Sequence, residues 1–240
     1  MSLNPNELNL AIRQSAETLE IYLYDDIKPD SYDWWSGAKL ESETSCKYVQ
    51  KMLEENPGIS KIELHINSNG GDVKEGVGIY SLLARHKAQK TAYIDGFAAS
   101  IASVIAMACD EIVMSSVSLM FIHHAWMLAA GNANELRKAA DDLDKIDEQS
   151  TRAYKEHAGD KLPNETLQAL LDAETWLTPE ECLEYGLCER VETKQKEEDP
   201  KTVAQRMHQT YKQQMMREAA QENKTIMQKM AAQAAKKREE

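Results

Sequence analysis

"KIELHINSNGGDVKEGVGIYSLLARHKAQKTAYID", residues 61–95, is the stretch whose reading decides the fold. Lys61–Asn67 reads as a strand, "SNGG" as a turn, and the apolar positions Val73, Val77, Tyr80 and Leu83 recur at helical spacing up to Arg85. "TAYID", Thr91–Asp95, is a second strand. A strand, a helix and another strand in so short a span make a βαβ unit, which requires a parallel sheet.

The same grammar continues outward. Upstream, "LEIYLYDDI" (Leu19–Ile27) alternates as a strand does, "SYDWWSGAKL" breaks the pattern at Gly37, and a helical stretch through Cys46, Val49, Met52 and Leu53 stops at Pro57-Gly58. Downstream, "GFAASIASVIAMA" turns through Gly96 into a helix of small apolar residues, and "DEIVMSSVSLMFIHHAW" supplies two more strands. From Asn134 to about His157, Leu136, Ala140, Leu143, Ile146, Ala153 and Tyr154 form an apolar stripe on a charged helix. "TPEECLEYG" has Thr178 as cap, Pro179 in the first turn, Glu181 completing a capping box and Gly186 past the end.

Composition narrows the function. The net charge of -12 divides unevenly, with residues 1–193 at -16 and residues 194–240 at +4. An acidic body disfavours nucleic acid as a partner. Cys46, Cys109, Cys182 and Cys188 form no CxxC pair, so reduced thiols are expected and no disulfide or zinc site is implied. The first twenty residues lack the pattern of a secretory signal, and the longest uncharged run, Gly96–Ala108, is too short to span a bilayer. The reading is of a cytoplasmic protein with no membrane partner, in three parts: an N-terminal segment 1–18, a main domain 19–193, and a helix-prone extension 194–240.

Several residues have the chemistry of an acyl-transfer site. An unactivated serine is a weak nucleophile and needs a base, an orienting acid and donors for the oxyanion. Ser100 lies where a strand enters a helix, whose first N–H groups are free to donate. Gly70-Gly71, just after another strand, leaves its N–H groups unobstructed, although such pairs are commonly plain tight turns. His123 and His124 end a strand, so only one of them faces a given site, which also argues against a shared metal. Asp172 and Glu174 precede Trp176 as candidate acids.

Taken in order, "HINSNGGDVKEGVGIY", "YIDGFAASIASVIAMACD", "FIHHAW" and "AETWLTPEECLEYGL" resemble the Clp peptidase family of serine proteases, from about Ile21 to Val191. Within it the sequence is most similar to the Clp-like head maturation proteases of bacteriophages. The resemblance implies an α/β fold of stacked ββα turns in a spiral, also found in crotonases, with a protruding helical handle formed by Asn134 to His157. It implies Ser100 as nucleophile and His123 as general base, with the Gly71 and Ile101 N–H groups as oxyanion donors, Gly71 lying 29 residues before the serine. The family's acid is an aspartate two residues before the aromatic of this segment. That position is Glu174 here, and Asp172 is the alternative. No metal or cofactor is required.

Implied partners are protein or peptide substrates, including capsid or scaffold proteins in a prohead, and further copies of the chain in a seven-membered ring or double ring. An AAA+ unfoldase is implied if the chain is instead a housekeeping Clp proteolytic subunit fed by an ATPase. Two other readings stay open: a crotonase-type acyl-CoA enzyme, and a structural assembly factor with a catalytically silent triad.

Overall fold

The computed structural model describes residues 17–192, which lie inside one compact unit, Met1–Thr193. The extension 194–240, and all but the last two residues of the N-terminal segment 1–18, fall outside the described residues.

Strand β1 (Thr18–Tyr24) turns Leu19, Ile21 and Leu23 into the core and leaves Tyr22 and Tyr24 half exposed. The break expected at "SYDWWSGAKL" is a small hairpin, β2 (Ser31–Tyr32) with β3 (Lys39–Leu40). Asp33 ties its turn by accepting from the Ser36 N–H and hydroxyl, both at 2.6 Å. Helix α1 (Cys46–Glu55) starts on Ser45, whose hydroxyl accepts from the Tyr48 N–H, and stops just ahead of Pro57-Gly58. Strand β4 (Lys61–Ser68) then runs parallel to β1, and helix α2 (Val73–Arg85) begins on the Asp72 cap, as the spacing predicts.

Strand β5 (Gln89–Ala99) is longer than expected. It does not end at Asp95 because it changes partner there. Thr91–Ile94 pair with β6 (Glu111–Ser115), and Phe97–Ala99 pair with β7 (Leu119–Ile122). Against β4 the register moves from Ile66↔Ile94 to Ser68↔Ala98, so β5 carries two extra residues as a bulge around Gly96. Asn67 Oδ1 fills that bulge, accepting from the Phe97 N–H at 3.1 Å, and a Cβ on Gly96 would stand 2.3 Å from the same oxygen. The bulge redirects the strand and sets up the corner that follows.

That corner leads into α3 (Ile101–Ala106), a single buried turn and a half. Its approach to α2 depends on Gly76, where a Cβ would lie 2.1 Å from Ile101 Cγ1. The remaining elements are α4 (Ala133–Ala158), a 3₁₀ turn (Gly159–Lys161), α5 (Asn164–Asp172), β8 (Thr175–Leu177), α6 (Pro179–Tyr185) and β9 (Arg190–Glu192). The parallel sheet runs β1-β4-β5-β6-β9, while β7 leaves β5 to pair antiparallel with β8. The result is the mixed α/β architecture, mostly parallel, that the resemblance implies.

Helix α4 has the length expected of the handle, and Asn132 and Glu135 cap its start with a capping box. Its buried residues, Ala153, Tyr154 and Ala158, all lie at the C-terminal end, whereas Leu136 is 44% exposed. The Tyr154 hydroxyl lies 2.6 Å from Ser103 Oγ, and Ser103 donates at 2.6 Å to the Ser100 carbonyl. The single Ser103 proton is thereby used, so Tyr154 donates. Tyr154→Phe removes this buried bond without opening a cavity, and a loss of about 1 kcal/mol is expected, read as a fall of roughly 2–4 °C in Tm by calorimetry.

Candidate active site

Ser100 stands on the strand-to-helix corner with φ 55 and ψ -129, in a region that side chains other than glycine rarely occupy. Its surroundings hold it there. The Ser100 N–H donates to the Phe121 carbonyl at 2.9 Å, and its own carbonyl receives the Ser103 hydroxyl.

His123 follows β7 directly, and the pairing of Ala99 with Phe121 brings it alongside Ser100 from 23 residues away. His123 Nε2 and Ser100 Oγ are 2.8 Å apart. The imidazole stacks on Phe121 at 4.9 Å between ring centroids, and Phe121 stacks in turn on Trp176 at 4.6 Å. Burial pushes the His123 pKa below its ordinary 6.5, the Glu174 and Asp147 carboxylates pull it back upward, and His124 opposes them. A base depressed in this way is neutral at pH 7 and able to accept the serine proton.

Gly70 and Gly71 face the serine for two different steric reasons. Gly70, at φ +95, lies so close that a Cβ would stand 2.7 Å from both the Ala99 carbonyl oxygen and Ser100 Cβ. Gly71, at φ +140, is bridged to Ile27, whose carbonyl oxygen would be 2.3 Å from a Cβ there. The Ile27 N–H donates to the Gly70 carbonyl at 2.6 Å and the Asp72 N–H to the Ile27 carbonyl at 2.7 Å. The Gly71 and Ile101 N–H groups donate to no acceptor among the described residues, Ile101 being the first residue of α3. A cleft of about 470 Å³ opens onto this arrangement, lined by Asp26, Asn69, Gly70, Gly71, Ser100, Phe121, His123 and Trp126.

The two candidate acids are separated by the structure. Asp172 Oδ1 lies 2.8 Å from His124 Nε2 and 3.1 Å from Gln168 Nε2, while His124 Nδ1 is 3.2 Å from Asp147 Oδ2. The second histidine thus faces away from the serine, as strand alternation requires, and holds Asp172 there. Glu174, in the turn before β8 at φ 48, acts on His123 as a nearby charge but does not hydrogen-bond its ring. Sequence reasoning did not find Asp26, Trp126 or the Tyr154 support. Trp126 had a local signal three residues beyond His123, whereas Asp26 had none, because only the Ile27–Gly71 bridge carries it to the cleft.

All four cysteines are free thiols, and none touches this site. Among the described residues no group of three or more His, Cys, Asp or Glu side chains is placed to hold a metal ion, and no helix is long and apolar enough to cross a membrane.

Comparison with known proteins gives the family. The family model described as Clp protease matches residues 36–195. The chain is 30% identical over 160 residues to an ATP-dependent Clp protease proteolytic subunit of Deinococcus radiodurans, covering 65% of this chain and 77% of that protein. It is 30% identical over 159 residues to proteolytic subunit 1 of Prochlorococcus marinus, covering 65% of this chain and 80% of that protein. A Bacteroides fragilis proteolytic subunit is 30% identical over 160 residues, with 65% of this chain and 76% of the relative covered. With the matched region spanning the sheet from β4 to β9, the Ser100 corner and the His123 strand, the chain belongs to the Clp protease family.

Proposed function

We propose that the chain is a serine peptidase that hydrolyses peptide bonds through an acyl-enzyme on Ser100. The observation that carries this reading is the 2.8 Å approach of a depressed, half-buried His123 to a serine held on a strained corner. His123 Nε2 takes the hydroxyl proton as Oγ attacks the carbonyl carbon, and the Gly71 and Ile101 N–H groups receive the charge that develops on oxygen. The C–N bond breaks as His123 returns the proton to the departing amine. Water, deprotonated by the same ring, then hydrolyses the ester and restores Ser100. Fluorophosphonate labelling of the serine tests the reading directly.

Glu174 is assigned as the acid acting on His123, since Asp172 is engaged by His124. The pH profile checks both assignments. The base must be neutral, so the acid limb of kcat/KM lies below the ordinary imidazole value, at the depressed value of His123. Glu174→Gln removes a charge that raises that value, so the acid limb moves to still lower pH while kcat falls by at least about tenfold. Asp172→Asn, by contrast, changes kcat by less than about threefold, because its partner is the other histidine. An unmoved acid limb in Glu174→Gln would discard Glu174.

Family membership points to an oligomer, and the uncovered flank of α4 around Leu136 supports a ring in which the handle is buried on other copies. Among the roles open to such a ring, we assign maturation of a phage head, supported by the motif set and by the 47 residues of Met- and Gln-rich sequence beyond Thr193. The second reading, a proteolytic subunit fed by an ATP-driven unfoldase, is favoured by the names of the relatives. Cleavage of a co-expressed capsid or scaffold protein without any unfoldase supports the first, and strict dependence on unfoldase and ATP supports the second.

A further inference from the structure

Among the described residues lining the cleft, Asp26 supplies the only carboxylate and there is no Lys or Arg. Its backbone is fixed. Thr44 Oγ1 donates to the Asp26 carbonyl at 2.7 Å, and the next residue, Ile27, is bonded to Gly70 and Asp72. Lys28 does not cancel the charge by contact, because its ammonium binds Asp25 at 2.6 Å and reaches Asp26 only as a longer-range charge. The lining thus carries a carboxylate and no cationic Lys or Arg side chain to offset it.

Opposite chemistry is available in the same cleft. Trp126, 77% exposed, lines it together with Phe121. An indole face accepts both the aliphatic stem of a long side chain and the cation at its end. We infer that Asp26 and Trp126 make this peptidase select a lysine or arginine side chain flanking the scissile bond, an inference that rests on the serine-peptidase reading of Ser100. A glutamate at that position would meet the Asp26 carboxylate, and an aliphatic residue would gain the indole contact alone.

The test uses the full chain and internally quenched peptides that differ at one residue, with Lys, Arg, norleucine or Glu placed in turn on each side of the bond cleaved. At one position Lys and Arg should exceed norleucine in kcat/KM by about fivefold, with Glu below it, and added salt should shrink the difference. Asp26→Asn should bring the Lys-to-norleucine ratio to about one, and Asp26→Lys should reverse the order in favour of Glu. The same peptides are titrated by anisotropy against Ser100→Ala with Asp26 intact and with Asp26→Asn, so that the preference is read without turnover. Equal binding of the Lys and norleucine peptides, or a preference that survives Asp26→Asn, overturns the inference. Failure of the fluorophosphonate to label Ser100 overturns the peptidase reading instead, and the binding series still decides the role of Asp26.

Discussion

Ser100→Ala is expected to lose all labelling by a fluorophosphonate and to hydrolyse peptides roughly 10⁴- to 10⁶-fold more slowly than the wild-type chain, and His123→Ala to fall nearly as far. The two losses should not add. A serine hydroxyl with no base and a base with no hydroxyl are equally unable to pass the proton that Oγ must shed as it attacks, so the double variant should match the worse single one. The geometry limits the alternatives: His123 Nε2 is 2.8 Å from Ser100 Oγ, whereas His124 is turned to Asp147 and Asp172 and offers no substitute base. Mass spectrometry of the labelled chain locates the adduct. A label on any residue other than Ser100, or one that persists in His123→Ala at the wild-type rate, would remove the proposed mechanism. Absence of label in the wild-type chain would favour a silent assembly factor.

Gly70→Ala is expected to be the most damaging change that leaves every proposed catalytic side chain in place. The new methyl would stand 2.7 Å from the Ala99 carbonyl oxygen and 2.7 Å from Ser100 Cβ, and both belong to the corner that aims the nucleophile. Neither neighbour is the free end of a flexible side chain, so relief comes only by moving the backbone. At φ +95 the alanine is also strained in itself. A shift of even about 1 Å in an attacking atom costs on the order of a hundredfold in rate, so labelling of Ser100 should slow by at least that factor. Stability should fall by about 2–4 kcal/mol, within the range of steric changes at special backbone positions. Melting and labelling are measured together. A variant that stays folded by circular dichroism yet labels at the wild-type rate would show that Gly70 serves the turn alone.

The two acids show where sequence reasoning stopped. Their spacing before Trp176 was readable, but which of them serves His123 depends on α5, whose end delivers Asp172 to His124, and on a left-handed turn at Glu174. Neither has a local signature strong enough to read. The expected end of β5 at Asp95 shows the same limit, since Gly96 resembles a terminator and is in fact a bulge filled by the side chain of Asn67 from the neighbouring strand.

By itself the sequence determined what depends on short-range order. The βαβ unit over residues 61–95, the capped helix after Thr178, the long charged helix and the opposite facing of His123 and His124 all follow from periodicity, capping and strand alternation over a few residues. The ordered motifs likewise identified the family that the comparisons support. Only the tertiary structure decided what depends on distant segments meeting. Ile27 pairs with Gly71 and brings Asp26 to the cleft, Tyr154 reaches Ser103 across 51 residues, and β5 exchanges β6 for β7 to set Ser100 against His123. These contacts are chosen by sheet register and close packing, which are properties of the assembled core and leave no local pattern along the chain.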